Sequence, residues 1–108
     1  MSARVMVLAL VVSMTAPATF AADGKALFQT KCGICHLQGG TGTFMLSRRL
    51  GAARALLEER QDLDRALVLH VARNGLQSMP RFSRAELPDS ELQAIADYLT
   101  RQGASVSK

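Results

Sequence analysis

The chain has 108 residues and a formal net charge of +4 at pH 7, a length that predicts one small domain. Its basic residues form no cluster with interleaved aromatic residues, so the charge does not indicate a nucleic-acid-binding protein. The chain has two cysteines, Cys32 and Cys35. A disulfide between residues so close in sequence would be strained and would close little chain entropy, so we expect the cysteines to have another role.

Residues 1–22 have the pattern of a secretory signal peptide. Arg4 precedes a continuous apolar run at residues 5–12, and small residues follow a proline that interrupts the run. We expect cleavage after Ala21 or Ala22, with Ala18 as the alternative. The apolar run is shorter than the roughly 20 residues that span a bilayer, which favours a cleaved signal over a retained membrane anchor.

Cleavage would leave a single domain at residues 23–108, exported to the periplasm. Loss of the signal would lower the formal net charge from +4 to +3, because one arginine is removed. A domain of this size is close to the lower limit for a self-sufficient hydrophobic core. A bound cofactor or metal is therefore expected to stabilise it.

The first predicted helix of this domain runs from about Gly24 to Lys31, with Asp23 as its N-cap. Glycine in a helix costs about 1 kcal/mol relative to alanine. A close crossing by another helix would explain why glycine stands at position 24.

The helix leads directly into Cys32-Gly33-Ile34-Cys35-His36, the C-x-x-C-H attachment signature of a c-type haem. Each thiol would add to one haem vinyl group and form a thioether bond, and the two intervening residues span the distance between the vinyls. His36 would then reach one axial face of the iron through an imidazole nitrogen. A haem would also bring the apolar surface that so small a core lacks.

A glycine-rich loop is predicted at residues 37–43, where residues without bulk would pass close to a flat macrocycle. It is not a phosphate-binding loop of the GxGxxG type, since no strand precedes it. Residues 52–60 are rich in strong helix formers and predict a helix.

The next helix is predicted to begin after Asp62 or Asp64, to run to about Arg73, and to end at Asn74-Gly75. An irregular segment should follow at residues 76–88. The last predicted helix spans about Asp89 to Gln102, carries an apolar stripe, and ends at Gly103. No strand pattern is present, so the fold class is all-α.

Taken together, the haem motif, Met79-Pro80 and a closing amphipathic helix with Tyr98-Leu99 resemble the class I c-type cytochromes. The resemblance implies a cytochrome c fold of about four helices around one haem c, with crossing first and last helices. Gly24 and Phe28 would meet Tyr98 and Leu99 at that crossing. Residues 71–80 are similar in particular to the haem subunit of flavocytochromes of the p-cresol methylhydroxylase type, which oxidise phenolic methyl groups.

The resemblance implies Met79 as the second axial ligand of the iron. A thioether is a soft ligand that raises the potential, and Pro80 keeps the preceding residue in extended backbone. Met45 is a rival that we interpret as a core filler, and His70 would give a bis-histidine site of lower potential. Many family members have a proline carbonyl that orients the ligand histidine, but no proline follows Gly42 here. We therefore expect another backbone carbonyl to accept from His36.

Two other uses of the cysteines fit the sequence less well. A zinc site would need Cys32, Cys35, His36 and His70, but the histidine spacing of a zinc finger is missing. A thioredoxin-like dithiol would need a βαβ context, which the helical pattern does not provide.

The basic residues leave two alternatives open. Arg48 and Arg49 would suit a haem propionate, or they are solvated surface residues. Five other cations would ring the exposed haem edge and steer an acidic partner, or they are scattered solubilising charge: Lys25, Lys31, Arg73, Arg81 and Arg84.

The sequence thus predicts a periplasmic monohaem cytochrome c that carries single electrons by Fe(III)/Fe(II) cycling. Its cofactor-binding residues are Cys32, Cys35, His36 and Met79, of which His36 and Met79 bind the iron. A filled sixth position leaves no place for substrate, so the protein alone is not expected to be an enzyme. The implied partners are an upstream dehydrogenase and a downstream oxidase or cytochrome. The alternatives are an electron-accepting subunit of a flavodehydrogenase, or a haem sensor with a labile sixth ligand.

Overall fold

The computed structural model describes residues 9–16 and 22–104. Most of the expected signal peptide lies outside these ranges, so its cleavage stays a prediction. Residues 9–16 form no helix or strand and expose their large apolar side chains to solvent. None of them contributes to the core.

The described part of the chain is all-α, as predicted, with five α-helices and no strand. Two short 3₁₀ turns, Ala52–Arg54 and Leu57–Glu59, connect the third and fourth helices. The helices are α1 Gly24–Lys31, α2 Gly33–His36, α3 Thr41–Leu50, α4 Arg65–Asn74 and α5 Asp89–Ala104. Among the described residues, no helix has both the length and the apolar character needed to cross a membrane.

Side-chain caps set the helix starts that the sequence predicted. The Ala26 backbone N–H donates to the Asp23 carboxylate at 3.2 Å, and α1 begins at the next residue after Asp23. Of the two candidate caps for α4, Asp64 is the one used, since it accepts from the Leu67 N–H at 3.0 Å. Gly75 ends α4 with a φ of 76°, a conformation that glycine adopts without a steric penalty.

The crossing of α1 and α5 centres on Gly24, as expected. A Cβ atom at Gly24 would lie 2.2 Å from the Ala94 carbonyl oxygen and 2.8 Å from the Tyr98 Cβ. One turn further along α1, the ring of Phe28 lies 6.2 Å from that of Tyr98. Glycine therefore allows the two backbones to approach closely enough for Phe28 to be buried against α5.

The hydrophobic core lies between α1, α4, α5 and the segment that precedes α5. Burial of each large apolar side chain here stabilises the fold by about 1.5–3 kcal/mol. Its buried members are Phe28, Ala72, Leu87, Leu92, Ile95 and Leu99.

Arg73 ties the segment after α4 back to the core. Its guanidinium donates to the carbonyl oxygens of Phe82 and Ser83, both at 3.3 Å, and to the Asp89 carboxylate at 2.6 Å. The Phe82 N–H donates to the carbonyl oxygen of Ala72 at 2.8 Å. These bonds fix the path of the irregular segment between α4 and α5.

Three predicted boundaries were wrong. Residues 41–43 begin α3 instead of continuing a loop, and residues 52–60 form two 3₁₀ turns instead of a helix. Gly51, with a φ of 90°, separates α3 from the first of these turns, and extended backbone at Leu56 precedes the second. Gly103 does not stop α5, which continues to Ala104.

Candidate haem-binding site

A cavity of about 460 Å³ opens beside the core, within the roughly 300–1,000 Å³ of typical cofactor sites. Most of its lining is apolar, and the lining residues come from the core, from α3 and α4, and from residues 76–80. The four predicted cofactor-binding residues all line this one cavity: Cys32, Cys35, His36 and Met79.

The two cysteines lie at the junction of α1 and α2. Cys32 is the C-cap of α1, where its N–H donates to the Phe28 carbonyl oxygen at 2.8 Å, and Cys35 lies within α2. Neither forms a disulfide, and both are partly exposed. Burial, together with the nearby Cys35, raises the pKa of the Cys32 thiol to about 11. Cys32 is therefore a neutral thiol at pH 7.

His36, at the end of α2, presents a neutral imidazole to the cavity. Burial lowers its pKa below the usual 6.5, and the neutral ring is the form that binds a metal. Its Nδ1 atom is buried and has no hydrogen-bond partner among the described residues. The backbone carbonyl that we expected to accept from His36 is therefore not found.

Two glycines allow α3 to begin directly against the haem motif. A Cβ at Gly40 would lie 2.4 Å from the Cys35 carbonyl oxygen, and one at Gly42 would lie 2.8 Å from the same atom. The Gly42 Cβ would also lie 3.1 Å from the His36 Cε1 atom. The glycines thus bring backbone close to the histidine, and Gly42 also lines the cavity. Their passage over the macrocycle stays a prediction.

Two threonines hold the start of α3 against the haem motif. The Thr43 hydroxyl, which is buried, donates to the Leu37 carbonyl oxygen at 2.8 Å. The Thr41 hydroxyl lies 3.6 Å from the Cys35 sulfur atom and donates to it. Because both threonines belong to the first turn of α3, that helix is fixed directly to the haem motif.

Met79 reaches the cavity from a tight turn. Leu76 and Met79 exchange backbone hydrogen bonds of 3.1 and 2.9 Å, and Gln77 within the turn has a φ of 53°. Gly75 precedes the turn, and a Cβ there would lie 2.7 Å from the Met79 carbonyl oxygen. The chain is thus folded back on itself immediately before the predicted ligand.

Two arginines line the largely apolar cavity, Arg49 and Arg60. Sequence reasoning missed Arg60, of whose side chain only 12% is exposed. Asp62 accepts from its Nε and Nη2 atoms, both at 2.8 Å, and this hydrogen bond raises the pKa of Arg60. In the sequence, Arg60 lies between two apolar residues, Leu57 and Leu63, which also line the cavity. This apolar context is the signal that could have identified Arg60 as a cavity residue.

Arg48 does not line the cavity, in contrast to Arg49. Its guanidinium lies 5.7 Å from the centre of the Phe44 ring. Met45 does line the cavity but is 46% exposed, so our interpretation of it as a core filler is wrong.

The rival ligand His70 does not line the cavity and is exposed on α4, where its ring lies beside the Asn74 amide. Within the described ranges, no group of three or more His, Cys, Asp or Glu residues is placed to hold a metal ion, an arrangement that the zinc alternative requires.

None of the five cations expected to ring a haem edge lines the cavity. Lys31 pairs with Glu91 at 3.0 Å, which joins α1 to α5. Arg73 and Arg84 both pair with Asp89, at 2.6 and 3.2 Å. These ion pairs stabilise the fold and are therefore an alternative explanation for the basic residues at these three positions.

The donor set and the cavity fit a haem c. Two thiols, an imidazole and a thioether meet in one apolar space, and these are the side chains that attach and ligate the group in cytochromes c. His36 itself lines this space, so its imidazole is available to an iron bound there.

Comparison with known proteins gives one family. The model of the family described as cytochrome C oxidase, cbb3-type, subunit III matches residues 19–99. No curated protein and no solved structure matches the chain. The matched range contains all four cavity residues that we predicted to bind the cofactor.

Proposed function

Because the chain belongs to the family of cytochrome C oxidase, cbb3-type, subunit III, a c-type cytochrome domain, we propose that it is a periplasmic monohaem carrier of single electrons. Membership of this family implies that the chain transfers electrons through a haem and exchanges them with redox partner proteins. The single haem, its covalent attachment, the His/Met ligation and the periplasmic location are our proposals. The attachment and the ligation are supported most by one observation, that Cys32, Cys35, His36 and Met79 line one cavity. The periplasmic location rests on the signal-peptide pattern of residues 1–22.

The residues of the cavity have distinct tasks. A bound haem supplies an iron that accepts and returns one electron. Cys32 and Cys35 would hold the group through thioether bonds, and His36 and Met79 would bind its iron. The apolar lining would exclude water, and the helix contacts around His36 would keep the ligand geometry similar in both oxidation states.

Arg49 and Arg60 would balance the negative propionate groups. Both residues line the cavity, and a guanidinium fork suits a carboxylate. Asp62 holds Arg60 from the outer side, so the Arg60 charge is already positioned in the protein.

Mass spectrometry of the exported protein tests attachment and processing together. We expect a chain that begins at Ala22 or Asp23 and carries the mass of one haem after denaturation. A Cys32→Ala, Cys35→Ala double variant should lose the group under the same conditions. A wild-type chain that releases its haem on denaturation would contradict covalent attachment.

A second candidate is a permanent subunit of a larger oxidoreductase. It is favoured by the family description, which names a subunit of an oxidase, and a flavodehydrogenase partner remains an alternative. Purification without detergent followed by size-exclusion chromatography separates the two. A free carrier elutes as a small protein, whereas a permanent subunit co-elutes with its complex.

Rapid mixing of the reduced protein with an acceptor cytochrome tests the carrier itself. A carrier should be oxidised completely and then reduced again over repeated cycles without loss of its haem spectrum. Rapid binding of carbon monoxide to the ferrous protein at neutral pH would instead favour the haem-sensor alternative.

A further inference from the structure

We propose that Arg49 and Gln77 form a strap that positions Met79 by joining the end of α3 to the turn that carries this residue. The inference rests on the proposed ligation of the iron by Met79. It assigns to Arg49 a task in addition to charge balance. Gln77, which no sequence pattern singled out, becomes a positioning residue for the sixth ligand.

The strap is a single side-chain hydrogen bond. The Arg49 Nη1 atom donates to the Gln77 side-chain carbonyl oxygen. Both residues line the cavity. Among the hydrogen bonds between described residues, this is the one that joins α3 to the turn from Leu76 to Met79.

Gln77 lies in the turn with an uncommon backbone conformation. Gln77 has a φ of 53° and is the one non-glycine residue with a positive φ in the described part of the chain. Such backbone is uncommon for glutamine, and the surrounding structure must hold it. The paired hydrogen bonds between Leu76 and Met79 do so from one side, and the bond from Arg49 does so from the other.

The opposite end of α3 packs against the segment that carries His36, the other proposed iron ligand. Gly40 and Gly42 pack on the Cys35 carbonyl group, and the Thr43 hydroxyl donates to the Leu37 carbonyl oxygen. A helix rises 1.5 Å per residue, so Thr41 and Arg49 are separated by about 12 Å along α3. The helix therefore acts as a rigid spacer between the segment that carries His36 and the turn that carries Met79.

A strap of this kind would set how often Met79 leaves the iron. If the Arg49–Gln77 bond is lost, the hydrogen bonds that hold the turn among the described residues are its own backbone bonds. The opening that exposes the sixth position then becomes more frequent. Attachment of the haem at the cysteines would not change. The expected signature is therefore faster access of an external ligand to the iron, without loss of haem.

The experiment measures the rate at which imidazole displaces the sixth ligand from the ferric holoprotein. The variants are Arg49→Leu, Gln77→Asn and the double variant, since asparagine tolerates the positive φ but is too short to reach Arg49. Arg48→Leu is the matched control, because its guanidinium lies over the Phe44 ring and outside the cavity. Stopped-flow absorbance gives the rate for each protein.

We expect each single variant to bind imidazole about three- to tenfold faster, the effect of losing one partly exposed hydrogen bond to a charged group. The double variant should be no faster than the faster single variant, because both changes remove the same bond. Arg48→Leu should match the wild type.

Two results would overturn the strap. One is a wild-type rate in both single variants, and the other is additive effects of the two changes, which would show that they act independently. The proposed ligation fails in a different way, since the wild-type protein would then lack the near-infrared band of methionine–haem ligation. A wild type with that band and variants with wild-type rates would contradict the strap alone.

Discussion

Replacing Gly24 with alanine should destabilise the holoprotein by separating α1 from α5. The added Cβ would lie 2.2 Å from the Ala94 carbonyl oxygen and 2.8 Å from the Tyr98 Cβ. Both neighbours are close to the backbone of α5, so neither can move without moving that helix. Overpacking of this kind typically costs about 1–3 kcal/mol. The better helix propensity of alanine returns at most about 1 kcal/mol.

Because the closest approach is to a backbone atom, the cost should lie in the upper part of that range, and we expect the free energy of unfolding to fall by about 1–2 kcal/mol. In guanidinium titrations followed by circular dichroism, the midpoint should decrease while the slope stays constant. The melting temperature should fall by about 4–8 °C per kcal/mol for a domain of this size. Lys25→Ala is the matched control, since Lys25 is exposed in the same turn. A Gly24→Ala protein as stable as this control would refute the close crossing.

Three further predictions concern the haem motif, the acid stability and the cavity charge. Gly40→Ala should lower the haem content per protein, measured by pyridine haemochrome, because its Cβ would lie 2.4 Å from the Cys35 carbonyl oxygen; unchanged content would contradict this packing. The hydrogen bond from Arg73 lowers the pKa of Asp89, so the stability that this pair contributes is present above about pH 4 and is lost as the pH falls further. Melting temperatures should therefore be measured between about pH 2.5 and 7 for the wild type and for Asp89→Asn. On the acid side the melting temperature should fall less steeply with pH in the variant than in the wild type. An equal dependence of melting temperature on pH in both proteins would contradict a contribution of the pair. Arg60→Leu should lower the reduction potential by tens of millivolts in voltammetry, since a positive charge that lines the cavity favours the ferrous form of an iron bound there, whereas Arg60→Lys should retain most of the wild-type value.

The parts of the fold that could be predicted from sequence depend on local interactions. Asp23 caps a helix through the N–H group of a residue three positions later, and Gly75 ends one through its own φ. The C-x-x-C-H motif places both thiols and the imidazole within five residues, so their proximity needs no tertiary information. The apolar stripe of α5 likewise follows from its helical period, and it is the stripe that is buried.

The parts that were wrong or missed depend on contacts between distant segments. The first turn of α3 has poor helix formers, and it is helical because Gly40 and Gly42 fit against Cys35 and because Thr43 bonds to Leu37. Residues 52–60 have good helix propensity but form two 3₁₀ turns, with Ala55 and Leu57 turned toward the interior. Propensity is a weak prior that such packing overrides.

The candidate site shows the same division. Met79 was inferred from the resemblance and from its proline, and it lies in the cavity. Arg60 and Gln77 were missed, because the cavity position of each depends on a turn whose path the sequence does not reveal.

The most direct test of the account is the absorption spectrum of the exported protein, oxidised and reduced with dithionite, extended to the weak near-infrared band of methionine–haem ligation. We predict a c-type haem spectrum with that band in the wild type. The band should be lost in Met79→Ala and kept in His70→Ala, since His70 lies outside the cavity. Absence of the band from the wild type would contradict the His/Met ligation, and absence of any c-type haem spectrum would contradict the account as a whole.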